Sequence, residues 1–526
     1  MRAYVVLATL LAVSNHGDSA RILGLFPHTG RSHQMVFEPL LETLAERGHH
    51  ITSVSFFPLK NPPANYTDVT LEGISPLGLE SIDLNLFENP NKLVSYLGAE
   101  RLLMQIFAFH PLDEYAVTIC KKLVDWPELI KALKQEYDLV IVEYFNSDCM
   151  LGLLHIYGIQ APIVALSSSG LMPWSPDRIG VSDNPAYVPL ISTFFTPKMD
   201  FWQRLENTLF QIIYKYWFRS QIQLKEQEII EKHFGKRIPD LKDLGKNLSL
   251  IMVNTHHTLN GVRPLLPGVL EVGGMHMDHS RKPIPHYIER FINESDHGVV
   301  LLSFGSLIKT STLPKYKEEM IVNACAKLKQ RVIWKYEDSK EEGTLTGNIL
   351  RVRWIPQYEL LQHPKVIAFV AHGGLLGMTE AVAAGKPMVV VPFFGDQPNN
   401  AAAAEARGLA KVVSYTELSE KALADAMKEA VSAEMRVNAR RVSSIWRDRQ
   451  ADPLDTAIYW TERVIRWGKQ DPLHSAARDL SYVELALLDV AAALILAIIT
   501  ILLVLRFILS LIPKFLGFGT KKEKLH

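Results

Sequence analysis

Short runs of mostly apolar residues, closed by turn signals and alternating with helical stretches, recur along this chain and constrain its fold more than any other feature. In the second half they fall at Val299–Phe304, Val332–Trp334, Ile349–Val352, Val366–Val370 and Met388–Val391. A strand with one wet face alternates in polarity. A run that is apolar at every position is buried on both faces, as in a parallel sheet covered by helices. Helices are expected between these strands at Lys315–Gln330, Leu375–Ala384 and Gln397–Ala406. The first half shows the same rhythm more faintly, with strands at Ile22–Phe26, Ile51–Phe56, Asp138–Val142 and Ile163–Leu166. A helix near Met35–Arg47 ends at Gly48, where a glycine can take the left-handed C-terminal turn.

Alternating strands and helices imply an α/β fold, and 526 residues are too many for one core. The expectation is two facing, doubly wound Rossmann-like domains, residues 21–260 and 286–485, joined by a Gly/Pro-rich linker at 261–285. Residues 200–235, rich in aromatics and helix formers, read as helices laid over the first domain. Ligands of such sheets bind at the carboxyl ends of the strands, so chemistry is expected in the cleft between the domains.

The two ends of the chain point to a membrane. Arg2, the apolar run Ala3–Val13 and the small residues up to Ala20 read as a signal peptide over 1–20. From Val490 to Leu505 there is no charge, and the apolar character continues past Arg506 to Ile512. As a helix, 490–512 would reach about 34 Å, enough to span the hydrocarbon core. The lysines at 514, 521, 522 and 524 place the tail, 513–526, on the cytosolic side, and its K-x-K-x-x ending resembles a retrieval signal. The topology expected is single-pass, type I, in the endoplasmic reticulum membrane with the domains in the lumen. Sequons at Asn65, Asn247 and Asn293 agree with it. Only three cysteines occur, Cys120, Cys149 and Cys325, and this odd, widely spaced set is expected to build neither a disulfide framework nor a metal knuckle. Basic and acidic residues balance at 56 each, which argues against a nucleic-acid partner.

The richest segment runs from Trp354-Ile355-Pro356-Gln357 through Ala371-His372-Gly373-Gly374-Leu375-Leu376-Gly377-Met378-Thr379-Glu380 to Gly395-Asp396-Gln397-Pro398-Asn399-Asn400. His372-Gly373-Gly374 falls where a buried strand gives way to a helix. Glycines there admit a ligand to the backbone, and the helix N-terminus offers free N–H groups to phosphate. Glu380 can accept from ribose hydroxyls, Asp396 and Gln397 can hold a hexose, and Trp354 offers a flat face to a base with Gln357 beside it. Ser303-Phe304-Gly305-Ser306, after an earlier strand, can add donors to a diphosphate.

This segment closely resembles the signature of the UDP-glycosyltransferases, and the likeness extends over nearly the whole chain. Pro27-His28-Thr29-Gly30-Arg31-Ser32-His33 and Val36-Phe37-Glu38-Pro39-Leu40 look most like arthropod, membrane-bound members. The resemblance implies the two-domain arrangement called GT-B, inversion at the anomeric carbon, and neither cofactor nor metal. The absence of an Asp-x-Asp motif beside the donor segment is consistent with the last point. Carried over residue by residue, His372, Gly373, Gly374 and Gly377 belong to the diphosphate loop and Ser306 lies near it. Trp354 and Gln357 meet the uridine, Glu380 the ribose, and Asp396 with Gln397 the hexose. The sequence departs from the pattern at Ala371, where Thr or Ser is usual, at Leu376, where Asn is common, and at Lys386, where an apolar residue is usual. UDP-glucose is the donor expected of arthropod members, although Asp396-Gln397 also occurs in glucuronate users.

Moving a sugar onto a hydroxyl needs a base near neutral pH, and histidine suits it. His33 matches the family's base position, and His28 is its competitor at the strand end. An acid behind the histidine would fix its tautomer. Asp148, in Asn146-Ser147-Asp148-Cys149, resembles the arthropod pattern and is preferred; Glu143, directly after the strand, is the alternative. The acceptor expected is a small lipophilic alcohol or phenol, xenobiotic or endogenous. Leu102–Phe109 and Met172-Pro173-Trp174 would supply the apolar surface. Two other functions remain open: a catalytically silent lumenal binding protein, and a ceramide-type lipid glycosyltransferase. Homo-oligomerisation is left open.

Overall fold

A computed structural model describes residues 19–76, 82–88, 105, 109–277 and 282–515. The expected signal peptide, apart from residues 19 and 20, lies outside these residues. So do the tail beyond 515 and most of Leu102–Phe109.

The first sheet has seven parallel strands. They are β1 (Arg21–Phe26), β2 (His50–Ser55), β3 (Tyr66–Thr70), β4 (Leu139–Glu143), β5 (Ile163–Ser167), β6 (Leu250–Val253) and β7 (Val269–Glu271), in the order β3-β2-β1-β4-β5-β6-β7. Strands β4 and β6 are buried at every residue; β4 was expected from its apolar run, whereas the equally apolar β6 was not. The helix after β1, Arg31–Glu46, buries Val36, Phe37, Leu40, Leu41 and Leu44 against the sheet, and Gly48 follows it at φ +99°. Strand β7 falls inside the stretch expected as linker. Its register with β6 (Ile251 beside Val269) makes it the sheet's last strand.

The second sheet also has seven strands: β8 (Val299–Ser303), β9 (Arg331–Lys335), β10 (Thr344–Thr346), β11 (Ile349–Val352), β12 (Val366–Ala371), β13 (Met388–Val390) and β14 (Ala410–Val412). Its order is β10-β11-β9-β8-β12-β13-β14, parallel except for the antiparallel pair β10–β11. Each order reverses direction once, between β1 and β4 in the first sheet and between β8 and β12 in the second. Such a reversal opens a crevice at the carboxyl ends of the two strands, because their connections leave to opposite faces.

Among the described residues the halves are tied at several places. Ile82–Asp83 pairs with Ile308–Lys309, and Leu84 sinks into the core of the second half. Glu88 bonds Lys317 Nζ and the Tyr415 hydroxyl, both at 2.9 Å. The helix Pro453–Trp467 returns to the first half, where Leu454, Ala457, Ile458 and Val464 join the cluster around Ile22, Val36 and Leu40.

One expectation is corrected. Cys120 and Cys149 form a disulfide with Cα atoms 5.7 Å apart, and Cys325 is buried and free. Spacing along the chain did not reveal the pair, because the packing of helix His110–Leu123 beside the start of helix Cys149–Ile156 is what brings the two thiols together.

A second unit begins at Ser475 and is dominated by the helix Leu488–Phe515. Its stretch Leu488–Ile512 has a mean hydropathy of 2.9, none of it buried, and is the one helix among the described residues long and apolar enough to cross a bilayer.

Candidate active site

In the first sheet the loop after β1 brings His28 to the cleft, and the first turn of the next helix brings His33. Strand β4 ends at Glu143. His33 Nδ1 lies 2.5 Å from Glu143 Oε1 and 2.8 Å from Ser168 Oγ, which sits just beyond β5. Three neighbouring strand ends of one sheet therefore converge on one imidazole nitrogen. The His28 ring stacks on His33 at 3.9 Å and within 5° of parallel, and Phe145 closes the edge at 4.6 Å. His28 Nδ1 accepts from the Gly30 amide at 3.0 Å, so this loop is held by its own side chain.

The preferred acid, Asp148, is not at this place. It is buried and clamped by Arg178 through two bonds of 2.7 and 2.5 Å, with Gln223 Nε2 donating at 2.7 Å. Burial pushes its carboxyl well above the ordinary range, and the neighbouring Glu226 charge adds to that shift. Glu226, itself raised to about 7 chiefly by burial, accepts from Ser147 Oγ and the Asp148 amide. Asp148 thus anchors the start of helix Cys149–Ile156, while Glu143 faces the histidine. The physical reason is direction. Glu143 ends the strand and points along the sheet edge into the crevice, whereas the five residues to Asp148 turn the chain back beneath the helix.

His28, His33 and Glu143 also form the one group of side chains among the described residues close enough to share a metal ion, their ligand atoms lying within 4.8 Å. Imidazole lone pairs lie in the ring plane. Two rings stacked in parallel aim them side by side, not at one point, which suits proton handling better than shared ligation.

In the second sheet the loops after β8 and β12 meet at the reversal. Gly305 has φ +77°, and a Cβ there would lie 2.7 Å from the His372 ring. A Cβ on Gly374 would come 2.3 Å from His372 Nε2, so only glycine allows the imidazole to lie across this turn. Gly374 caps the helix Leu375–Ala383 with no side-chain bond, which leaves its first N–H groups to the cleft. His372 is half-buried, and desolvation, helped by the Lys335 charge, pushes its imidazole down to about 4. It is neutral at neutral pH, and a neutral imidazole can offer one N–H as a donor.

Glu380, on the same helix, accepts from Gln357 Nε2 at 2.7 Å, and His276 Nε2 lies 3.5 Å away. Gly377 permits this approach, since a Cβ there would meet Gln357 Nε2 at 3.0 Å. Trp354 is 60% exposed, an open aromatic face beside Gln357. Asp396 is half-buried and raised to about 6, first by desolvation. Gln397 Oε1 accepts from the Phe393 amide at 2.8 Å and so holds the turn before its helix, Gln397–Glu405. Asn400 Nδ2 bridges the Gly373 carbonyl and Asp396 Oδ2, at 3.0 and 2.9 Å, which locks the two donor-side loops together. Ser306 stands exposed after β8.

The departures from the family pattern find local partners. Lys386 Nζ bonds the carbonyls of His363 and Val366, at 3.1 and 2.6 Å, and pins the start of β12. Leu376 packs on the first half's cluster around Phe26, Val36 and Leu40. The helix that presents His372-Gly373-Gly374 is thereby seated against the half that carries His33.

A crevice of two facing reversals, one bearing a histidine–carboxylate pair and the other a glycine-rich helix N-terminus, is where known proteins can be compared. The profile of the UDP-glucoronosyl and UDP-glucosyl transferase family matches residues 23–522. The chain belongs to the UDP-glycosyltransferase family. It is 32% identical to UDP-glucosyltransferase 2 of Dactylopius coccus, over 99% of this chain and 98% of that one. It is 30% identical to 2-hydroxyacylsphingosine 1-beta-galactosyltransferase of Homo sapiens, over 98% and 92%. The crystal structure of CalG4, the calicheamicin glycosyltransferase, superposes with a TM-score of 0.52 at 17% identity, covering 86% of this chain and 99% of that one. The fold is thus the GT-B arrangement of glycosyltransferases, and this UDP-glycosyltransferase is an enzyme that uses a UDP-sugar.

Three features of the site escaped sequence reasoning. Ser168 was hidden in the run Ser167-Ser168-Ser169, whose place at a strand end was the one available signal. His28 as a stacking partner and Asn400 as a bridge follow from loop geometry alone. The sequons lie at the surface, Asn247 and Asn293 exposed and Asn65 half-exposed.

Proposed function

We propose that this enzyme transfers glucose from UDP-glucose, with inversion, to the hydroxyl of a small lipophilic acceptor. The observation that carries the proposal is the 2.5 Å contact between His33 Nδ1 and Glu143 Oε1. In this reading His33 Nε2 takes the acceptor's proton while Glu143 holds the tautomer and balances the imidazolium. The acceptor oxygen bonds to the anomeric carbon as the bond from that carbon to the UDP oxygen breaks. The charge that develops on UDP falls on the N–H groups after Gly374 and on neutral His372. Trp354 and Gln357 hold the uridine, Glu380 the ribose, Asp396 and Gln397 the hexose, and Ser306 assists at the phosphates. No step calls for a metal or a cofactor.

A cleft lined by Leu171, Met172 and Ile191 from the first half and by Asn399 and Asn400 from the second suits an apolar acceptor with one polar end. The Cys120–Cys149 disulfide and the surface sequons support a lumenal, oxidising location, with the protein resident in the endoplasmic reticulum.

The test is UDP release by microsomes carrying wild type or His33→Ala. Each is given UDP-glucose, UDP-glucuronate or UDP-galactose against a panel of phenols and a ceramide. The ceramide is included because one relative is named for a sphingosine acceptor. Release that needs both UDP-glucose and a phenol, and is lost in the variant, supports the proposal. A preference for another donor corrects the sugar, and release with none of them would leave a binding protein.

A further inference from the structure

The helix Phe201–Trp217 carries its polarity the wrong way round for a helix in water. Every exposed position on it is aromatic or aliphatic: Phe201 and Trp202, Leu205, Leu209, Ile212 and Ile213, and Tyr216. At 3.6 residues per turn these positions fall within an arc of about 120°, along a stripe about 22 Å long. The helix's polar side chains turn inward instead. Asn207 is buried, accepts from the Leu190 amide at 2.8 Å and donates to the Pro185 and Val188 carbonyls at 2.9 Å. Gln211 donates to Asp183, and Lys215 pairs with Asp177 and Asp183, both at 2.7 Å. Arg204 caps the Met199 carbonyl at 2.7 Å. Phe210 and Tyr214 complete the inner face, against Phe109 and Trp174. The helix is therefore fully seated on its own domain, and the apolar stripe is surplus to that packing.

A contiguous stripe of this kind marks a contact surface. Its chemistry favours a lipid bilayer. Trp, Tyr and Phe at the stripe's ends with Leu and Ile between them match the headgroup–acyl boundary. No charge interrupts the arc, and exposed lysines flank it at both ends, Lys198 before and Lys225 after. The same chain carries its own bilayer-crossing helix, Leu488–Ile512, which keeps a bilayer at high effective concentration around the body. We propose that the Phe201–Tyr216 face lies in the interfacial layer of the membrane as an in-plane helix, a contact separate from the span.

The experiment uses the full-length chain, one copy per phosphatidylcholine nanodisc. A single environment-sensitive fluorophore is placed through Leu209→Cys or Ile212→Cys, with Val437→Cys on the second half as control. The side chains at 209 and 212 are 51% and 54% exposed, so a cysteine there disturbs no core, and Val437 at 56% matches them in exposure. The native cysteines are bonded or buried and do not compete for the label. With brominated acyl chains, emission at 209 and 212 should fall about two-fold or more relative to plain lipid, as expected for a label some 5–10 Å inside the headgroups. The control should be unchanged. Emission at 209 and 212 as insensitive to bromine as the control would overturn the proposal. So would a blue-shift that appears only in discs holding two copies, since the stripe would then be an interface between copies of this chain.

Discussion

The two sheets of the globular body are wound alike, yet their reversals are furnished differently. At the first, the working groups are side chains that can change charge: His33 on Glu143 and Ser168, with Asp148, Arg178 and Glu226 buried behind. At the second they are mostly backbone, namely Gly305, Gly373 and Gly374, a helix N-terminus, and an imidazole kept neutral. On the mechanism proposed above, the difference follows from what each half has to handle. A proton in transit needs a group whose protonation changes near working pH. A diphosphate brings its own charge and needs only fixed N–H dipoles at close range, so bulk is removed there and no titrating group is needed.

The sharpest way to test this contrast sets the two acids of the first half against each other. Glu143→Gln should lower kcat/KM by about 10³–10⁴-fold with the melting midpoint almost unmoved, because an amide cannot enforce the tautomer or stabilise imidazolium. Steady-state kinetics against thermal unfolding of the same preparation checks it. Near-normal turnover in this variant would return the role to another group. Asp148→Ala should do the reverse, costing about 3–5 kcal/mol of stability because Arg178 is left buried and unpaired, while the folded fraction turns over within about three-fold of wild type.

The disulfide belongs to the same half, and Cys149→Ser should cost about 3.6 kcal/mol, since the bond joins residues 29 apart. Denaturant melts with and without reductant would show whether the bond supports the first half, and an unchanged midpoint would remove it from the account.

On the donor side, Gly374→Ala should raise the KM for UDP-sugar about 10–100-fold, since the added methyl occupies the His372 ring position and displaces that donor from the phosphates. Isothermal titration with UDP reports it directly; equal affinity would mean that the loop has room the geometry does not show.

The smallest effect concerns pH. Asp396 is raised to about 6 in the fold, above its ordinary 3.8, so its contribution to stability is complete below the ordinary value and is lost as pH rises through about 6. Asp396→Asn should therefore gain about 1 kcal/mol above pH 6 while donor affinity drops roughly ten-fold. In wild type, donor affinity should weaken as pH falls through about 6, and in the variant the profile should be flat there. A wild-type profile flat across that range would take the hexose contact away from this carboxylate.

The α/β rhythm, the long apolar C-terminal helix and the glycine-rich strand–turn–helix unit were legible in the chain because each is local. A strand buried on both faces must be apolar throughout, a span must be uncharged for its length, and one strand–turn–helix unit, 366–383, carries both the glycines and Glu380. The edge strands β3, β7, β10 and β14 were not legible. They are short, three to five residues, and take their conformation from the neighbour they pair with.

The base's partner was beyond local reading for a related reason. Glu143 and Asp148 are five residues apart and equally suited by type. Only the direction in which β4 ends, and Arg178 waiting under the next helix, separates one from the other. The Cys120–Cys149 bond and the inverted helix 201–217 are of the same kind. Sequence by itself determined most of the helices and buried strands and the glycine-rich turn at 372–374, since those depend on neighbours along the chain. Tertiary structure alone decided which carboxylate meets the histidine, which thiols join and which face of a helix is left to the membrane, because each depends on groups distant in sequence meeting at one point in space.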